Sequence, residues 1–285
     1  MARAVVRHGT LYVLSTPIGH LGDFSFRGLE VLRQVAVVAA EDTRRTRRLL
    51  AHYAVSPEVV SLHAHSGPEA IERVLDRVEG GADVAYATDA GTPGVSDPGA
   101  ELVARAHERG LAVVPIPGPA AVIAALAAAG FPADRFVFAG FLPRKGTGRA
   151  ALLARLAAEP WTTVCYEAPN RTVALLRDLA ACCGPDRPAA VARELTKLHE
   201  EVRRGTVGAL TQYYEEHPPR GEVTIVVGGA PKGGAAAPAA APGEAEARAL
   251  VAAMRAEGSA PGAIAKELAQ RLGISRHDAY RLLTR

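Results

Sequence analysis

Short apolar runs alternate with amphipathic windows through the first half of the chain. LYVLS at 11–15, VAVVAA at 35–40, VVSL at 59–62, VAYAT at 84–88 and LAVVP at 111–115 are brief and rich in valine and leucine, and predict strands. Between them, residues 24–33, 44–53, 68–78 and 97–109 carry apolar side chains at helical spacing. Strands that alternate with helices in this way predict a mainly parallel sheet covered on both faces. The stretch 111–133 holds no charge and is long enough on paper to span a bilayer, but Pro115, Pro117, Pro119 and Pro132 interrupt it. A strand, a turn and a short buried helix fit it better, and no membrane partner is expected.

A second series follows a loop at 142–148: TVCY at 163–166, a helix over 171–181, AAVAR at 189–193 and EVTIVVG at 222–228. The expected class is therefore α/β, with two α/β domains at 1–141 and 142–229. GGAPKGGAAAPAAAPG at 228–243 has one charge, Lys232, and no periodicity, which is the composition of a flexible linker, placed at 230–243. Beyond it, 244–255, 261–272 and 275–283 predict three short helices and hence a small C-terminal helical domain at 244–285. Gly273 would close the second of these helices and Ser275 would cap the third.

Composition narrows function only a little. A chain of 285 residues, 48% hydrophobic and 22% charged, has the make-up of soluble globular proteins, and its net charge of +3 does not by itself announce a polyanion partner. Cys165, Cys182 and Cys183 make neither a disulfide framework nor a CxxC pair, which points to a reducing, cytoplasmic setting. Arg3 and Arg7 precede only a short apolar run before Pro17, which is no secretory signal.

The segment TDAGTPGVSDPG at 88–99 leaves a strand and enters a helix through three glycines and two prolines. Gly91, Gly94 and Gly99 permit close approach and positive φ, and the carboxyl end of a strand is where open α/β sheets bind ligands. An ordinary stiffened loop is the weaker reading. STPIGHLGD at 15–23 and PIPGPAA at 115–121 also follow strands, so all three loops would line one cleft with main-chain groups. Such a cleft suits a neutral or cationic small molecule better than a polyphosphate. GxGxxG, GxxxxGK[ST], HExxH and GxSxG are all absent, and His63 with His65 lacks a partner at metal-ligand spacing, so no metal is expected.

EDTRRTRR at 41–48 places two acids at a strand end and four arginines on the helix after it, with Arg44, Arg47 and Arg48 at i, i+3, i+4 spacing. A solvated face is one reading; a grip on RNA phosphates is the other, and Arg144, Lys145 and Arg149 would extend that basic rim. Aromatics at 5% do not support a stacking platform for single strands.

In these segments the sequence resembles the tetrapyrrole methylase superfamily, and within it the group that 2′-O-methylates a cytidine of 16S ribosomal RNA using S-adenosylmethionine. STPIGHLGD, VAAEDTRRTRRLL, ATDAGTPGVSDPG, PIPGPAA, FAGFLPRKG, YEAPNR, ARELTKLHEE and GEVTIVV stand in the group's order across about residues 10–228. His20 departs from the asparagine usual there. The resemblance implies the cofactor S-adenosylmethionine in a cleft between two tetrapyrrole-methylase-type α/β domains, a homodimer, and 16S rRNA or the small ribosomal subunit as partner. It carries cofactor contacts onto Pro17, onto Asp89, Gly91, Thr92, Val95 and Ser96, onto Ala120 and Ala121, and onto Tyr166 and Ala192.

Methyl transfer from a sulfonium to a ribose hydroxyl is an in-line displacement, in which placement alone supplies about 7–11 kcal/mol in favourable cases. The weakly acidic 2′-OH still needs a base or a nearby cation. Glu167, at a strand end in YEAPNR with Arg171 four residues on, is the candidate base and Lys145 the candidate cation. A helix-entry ion pair between Glu167 and Arg171 is the competing reading. Two other functions compete. Carbon methylation of a tetrapyrrole needs a wide apolar cleft and no basic rim. A DNA-binding regulator acting through the tail is poorly served by seven Lys/Arg against five Asp/Glu in 244–285.

Overall fold

The computed structural model describes residues 8–231, 254–255 and 260–272. Nearly all of the expected linker, and the expected helices at 244–255 and 275–283 apart from residues 254–255, lie outside the described residues, as do Gly273 and Ser275.

The first sheet is built from β1 (Thr10–Leu14), β2 (Val37–Ala40), β3 (Glu58–Ser61), β4 (Val84–Ala87) and β5 (Ala112–Ile116), in the order β3-β2-β4-β1-β5 and parallel throughout. Its helices are α1 (Phe26–Gln34), α2 (Thr43–His52), α3 (Pro68–Glu79) and α4 (Ala100–Glu108). Every residue of β2 and β4 is buried, as central parallel strands require. Val37, Ala39, Val84 and Tyr86 pack with Ile71, Leu75 and Val78 of α3 and Leu102 and Ala106 of α4. Their neighbours Val38, Ala85 and Ala87 pack with Val31 and Leu32 of α1 and Leu50 of α2. The period-2 alternation of the strands thus divides one apolar run between two helical layers.

The second sheet combines β6 (Phe136–Phe141), β7 (Thr162–Glu167), β8 (Pro188–Arg193), β9 (Glu201–Thr206) and β10 (Val223–Val227) in the order β6-β7-β10-β8-β9. Only β6 and β7 run parallel; β10 is antiparallel to both its neighbours, and β8 to β9. Leu156 of α6 (Thr147–Ala158), Leu175, Leu176 and Leu179 of α7 (Pro169–Cys183) and Leu210 and Tyr214 of α8 (Val207–Glu216) share one core with Cys165, Val191 and Ile225. The opposite face receives α5 (Ala121–Ala129), whose Val122, Ala125, Leu126 and Ala129 meet Val164, Ala190, Ala192 and Val226.

Two features position the site. The helix that follows the first sheet's last strand packs on the second sheet, so α5 stitches the two halves together. β6, just before the expected division near residue 142, already belongs to the second sheet. The stretch 111–133 is a strand, a turn and a helix, as its prolines require, and among the described residues no helix is long and apolar enough to cross a membrane. The expected helix at 261–272 is present as α9 (Pro261–Leu272).

Candidate functional site

Because β4, β1 and β5 are neighbours, the loops that leave their carboxyl ends are neighbours too, and side chains and main chain tie them together. Thr16 and Gly91 exchange backbone hydrogen bonds of 2.9 and 3.0 Å. Thr16 Oγ1 donates to the Thr88 carbonyl at 3.1 Å, Ser15 Oγ lies 2.9 Å from Thr92 Oγ1, and Thr92 Oγ1 donates to the Pro119 carbonyl at 3.1 Å. Gly91 needs its φ of +89°, and a Cβ at Gly118 would stand 2.8 Å from that of Ser15.

These loops form one side of a cavity of about 440 Å³ whose other side is the second sheet. Asp89, Gly91, Thr92, Val95, Ser96, Ala120, Ala121, Tyr166 and Glu167 all line it. Pro17 does not, but its neighbour Ile18 does; Ala192 is buried in β8 beside its register partner Thr224 of β10, which does. Sequence reasoning missed Gly221–Thr224 at the start of β10, Phe141, Asp97 and Arg45. The GEVTIVV motif was the available signal for the first of these.

Tyr166 is fixed at its hydroxyl, which accepts the Val122 N–H of α5 at 3.0 Å, and its ring stands edge-on to Phe138 and Phe141 at 4.9 and 5.5 Å. The half-exposed Phe141 and Tyr166 make an aromatic wall. Burial, more than the nearby carboxylates, raises the Tyr166 phenol above its ordinary pKa. The first turn of α5 has no side-chain cap at Ala120.

Five carboxylates, Glu41, Asp89, Asp97, Glu167 and Glu222, line the cavity beside one guanidinium, Arg45, which pairs with Asp89 at 3.4 Å. Asp89 Oδ1 also accepts the Asp42 N–H at 3.1 Å, locking the β4 loop to the β2 loop. Asp97 is pushed up to about 6, first by burial and then by Glu41, Asp89 and Glu222. Glu167 is fully buried at its side chain; Oε1 pairs with Arg171 and accepts the Ala168 N–H at 2.8 Å, while Oε2 has no partner among the described residues. Both sequence readings of Glu167 thus have a counterpart: the helix-entry pair exists, and one oxygen is left over.

The basic rim is only partly as expected. Arg44 turns back on Asp42, the cap of α2, and holds that carboxyl well below the usual range. Arg47 and Arg48 are exposed on α2, and Lys145 is exposed in the β6–α6 loop, away from the cavity lining. Arg149 must be withdrawn from the rim, because it bonds Asp178 at 2.6 Å and the Pro143 carbonyl at 2.9 Å from within α6. His20 accepts the Gly22 N–H at Nδ1, 3.1 Å, and so caps its own turn, a task an asparagine oxygen performs equally well. The Cys182 and Cys183 sulfurs are 3.5 Å apart and unbonded, and no group of three or more metal-ligating side chains occurs among the described residues.

Two α/β halves meet at this cavity, and the likeness of the chain to known proteins gives the class they make. The sequence profile of the tetrapyrrole (corrin/porphyrin) methylases matches residues 10–211, and the chain belongs to that family. Its fold matches uroporphyrin-III C-methyltransferase from Thermus thermophilus, complexed with S-adenyl homocysteine, with a TM-score of 0.56 over 77% of this chain and 97% of the other at 18% identity. Two relatives place it more narrowly. The ribosomal RNA small subunit methyltransferase I of Synechocystis is 41% identical over 96% of this chain and 97% of its own length. That of Xylella fastidiosa (strain Temecula1) is 48% identical over 78% and 82%. At that likeness the chain is a member of the family these two relatives represent.

Proposed function

We propose that the protein transfers the methyl group of S-adenosylmethionine to the ribose 2′-hydroxyl of a cytidine in 16S ribosomal RNA. The observation that carries this reading is the charge of the cavity: Arg45 takes Asp89, Arg171 takes Glu167 and Lys197 takes Glu222, and the two carboxylates left over, Glu41 and Asp97, favour a cationic ligand, as the sulfonium donor is. When bound, the donor supplies an electrophilic methyl and a neutral leaving group. The main chain of Asp89–Ser96 and the aromatic wall of Tyr166 and Phe141 would hold its body, and the Ala121 N–H at the start of α5 its carboxylate. A volume near 440 Å³ is in the range of small-molecule sites.

Glu167 is the acceptor for the 2′-OH proton. Arg171 and the Ala168 N–H hold Oε1, which orients the carboxylate; Oε2 is the oxygen left to take the hydrogen bond, and because it is buried in this structure the cavity wall must uncover it when the RNA binds. Arg47, Arg48 and Lys145 supply phosphate contacts. Methylation of a tetrapyrrole is the weaker alternative, because the relatives at 41–48% identity are named for small-subunit ribosomal RNA. A homodimer working in the cytoplasm, with the two sheets as two domains, completes the proposal; sedimentation in solution tests the dimer.

The decisive experiment supplies the purified protein with methyl-labelled donor and small subunits from a strain lacking the gene. Label is expected on a single cytidine ribose of the RNA. No incorporation, or incorporation only into a porphyrin, overturns the reading.

A further inference from the structure

A second cavity, of about 270 Å³, opens next to the first, and Asp97 lines both. The segment TDAGTPGVSDPG serves the two in turn: Asp89–Asp97 faces the first cavity, and Asp97–Gly99 with the start of α4 walls the second. Across from it stands the β3–α3 loop with Leu62, His63, Ala64 and Ser66. Gly99 has φ +131°, and a Cβ there would meet the Tyr86 ring at 2.6 Å, so this wall is laid directly on the tyrosine. Buried Leu62, Ile71, Tyr86 and Leu102 give an apolar floor, while His63, Ser66, Asp97 and Glu101 give a polar edge. An apolar floor with a hydrogen-bonding edge is the form of small-molecule sites in general, and a flat ring with polar atoms along one edge matches it.

The edge has a defined polarity. His63 Nδ1 lies 3.1 Å from the His65 N–H and accepts from it, so a neutral His63 carries its proton on Nε2, a donor. Ser66 Oγ accepts the His63 N–H at 2.9 Å, which fixes the turn and leaves the Ser66 hydroxyl proton to donate. Glu101 is taken by Arg105 at 2.8 Å. Asp97 makes no side-chain hydrogen bond or ion pair among the described residues, and is therefore an acceptor without a donor.

We propose that this second cavity receives the base of the nucleotide being methylated, with Asp97 accepting from an exocyclic amine and His63 and Ser66 donating to the ring acceptors. The inference rests on the RNA-methylating reading above, since it is the ribose in the first cavity that puts a base beside Asp97. Cytosine offers an N4 amine where uracil offers the O4 carbonyl, which a carboxylate repels. The cavity thus selects for cytosine over uracil.

Two measurements test it. The full chain, saturated with S-adenosylhomocysteine, is titrated with CMP, UMP and AMP while the His63 imidazole resonances are followed. CMP is expected to shift them and to bind roughly tenfold or more tightly than UMP. Second, Ala64→Phe, which fills the cavity from an exposed loop position, should leave S-adenosylmethionine affinity unchanged, abolish the CMP response and lower methylation of small subunits about 100-fold. A wild-type protein whose His63 ignores CMP, AMP binding more tightly than CMP, or an Ala64→Phe enzyme of normal rate would overturn the proposal. Failure of the wild-type protein to methylate any small-subunit RNA would remove the function instead, and the CMP titration still decides the cavity.

Discussion

Glu167 has its two oxygens in different circumstances, and that difference separates its possible roles. Oε1 belongs to Arg171 and the Ala168 N–H, while Oε2 is buried without a partner at the cavity wall. Glu167→Gln keeps the shape and removes the base, so the methylation rate should fall by about 10² to 10⁴ with donor affinity nearly unchanged, read from single-turnover rates beside calorimetry. A folded variant that loses donor affinity would make Glu167 a structural partner of Arg171. Asp97 is a carboxyl whose ionisation the fold resists. Its proton is held up to about pH 6 against an ordinary 3.8, so the native state binds that proton more tightly than the unfolded chain. Ionised Asp97 therefore costs stability, not at all below about pH 4, increasingly between 4 and 6, and in full above 6. Asp97→Asn should raise the melting temperature at pH 7.5, by the few degrees that correspond to about 1 kcal/mol after allowance for its partial exposure, and by nothing at pH 4. Equal gains at both values would remove the charge from the explanation.

At the scale of elements, what could be read from the sequence follows burial. β2 and β4 are buried on both faces, so VAVVAA and VAYAT announce themselves as apolar runs, and the alternation of strands with helices gives the first sheet. β9 was illegible because EVRRGT lies at a sheet edge, where Glu201, Arg203 and Arg204 pair or stack at the surface instead of filling a core. The loop that leaves β4 declared itself through its glycines and prolines, but β10 entered the cavity through an antiparallel position between β7 and β8 that no local pattern encodes. The arginines of α2 show the same limit. Spacing put Arg44, Arg47 and Arg48 on one face, whereas the cap Asp42 takes Arg44 and the loop residue Asp89 takes Arg45 into the cavity wall. This sorting yields a prediction. Removing Arg47 and Arg48 together should weaken RNA binding and reduce the slope of log K against log salt by roughly 1 to 2, while Arg44→Ala should leave the slope alone. An unchanged slope in the double variant assigns that face to solvent.

At the scale of the whole molecule, every residue that lines either cavity falls between Ile18 and Thr224, and the family profile ends at residue 211. The relative from Synechocystis nevertheless matches 96% of the chain, so the region beyond the second sheet is part of what the two proteins share. Donor binding and the remaining residues therefore separate cleanly in an experiment. The loops after β1, β4 and β5 are bonded to one another and α5 is packed on the second sheet, so among the described residues the contacts that assemble the cavity lie within 8–231. A chain ended after Ala230 should bind S-adenosylmethionine with unchanged affinity, and calorimetry measures this directly. If the segment beyond contributes to grip on a large RNA, the shortened chain should methylate small subunits with a raised KM and a kcat close to that of the full chain, the pattern of lost uniform binding. Loss of donor affinity on truncation would show instead that residues after 230 support the cavity, and an unaltered KM would leave them outside RNA recognition.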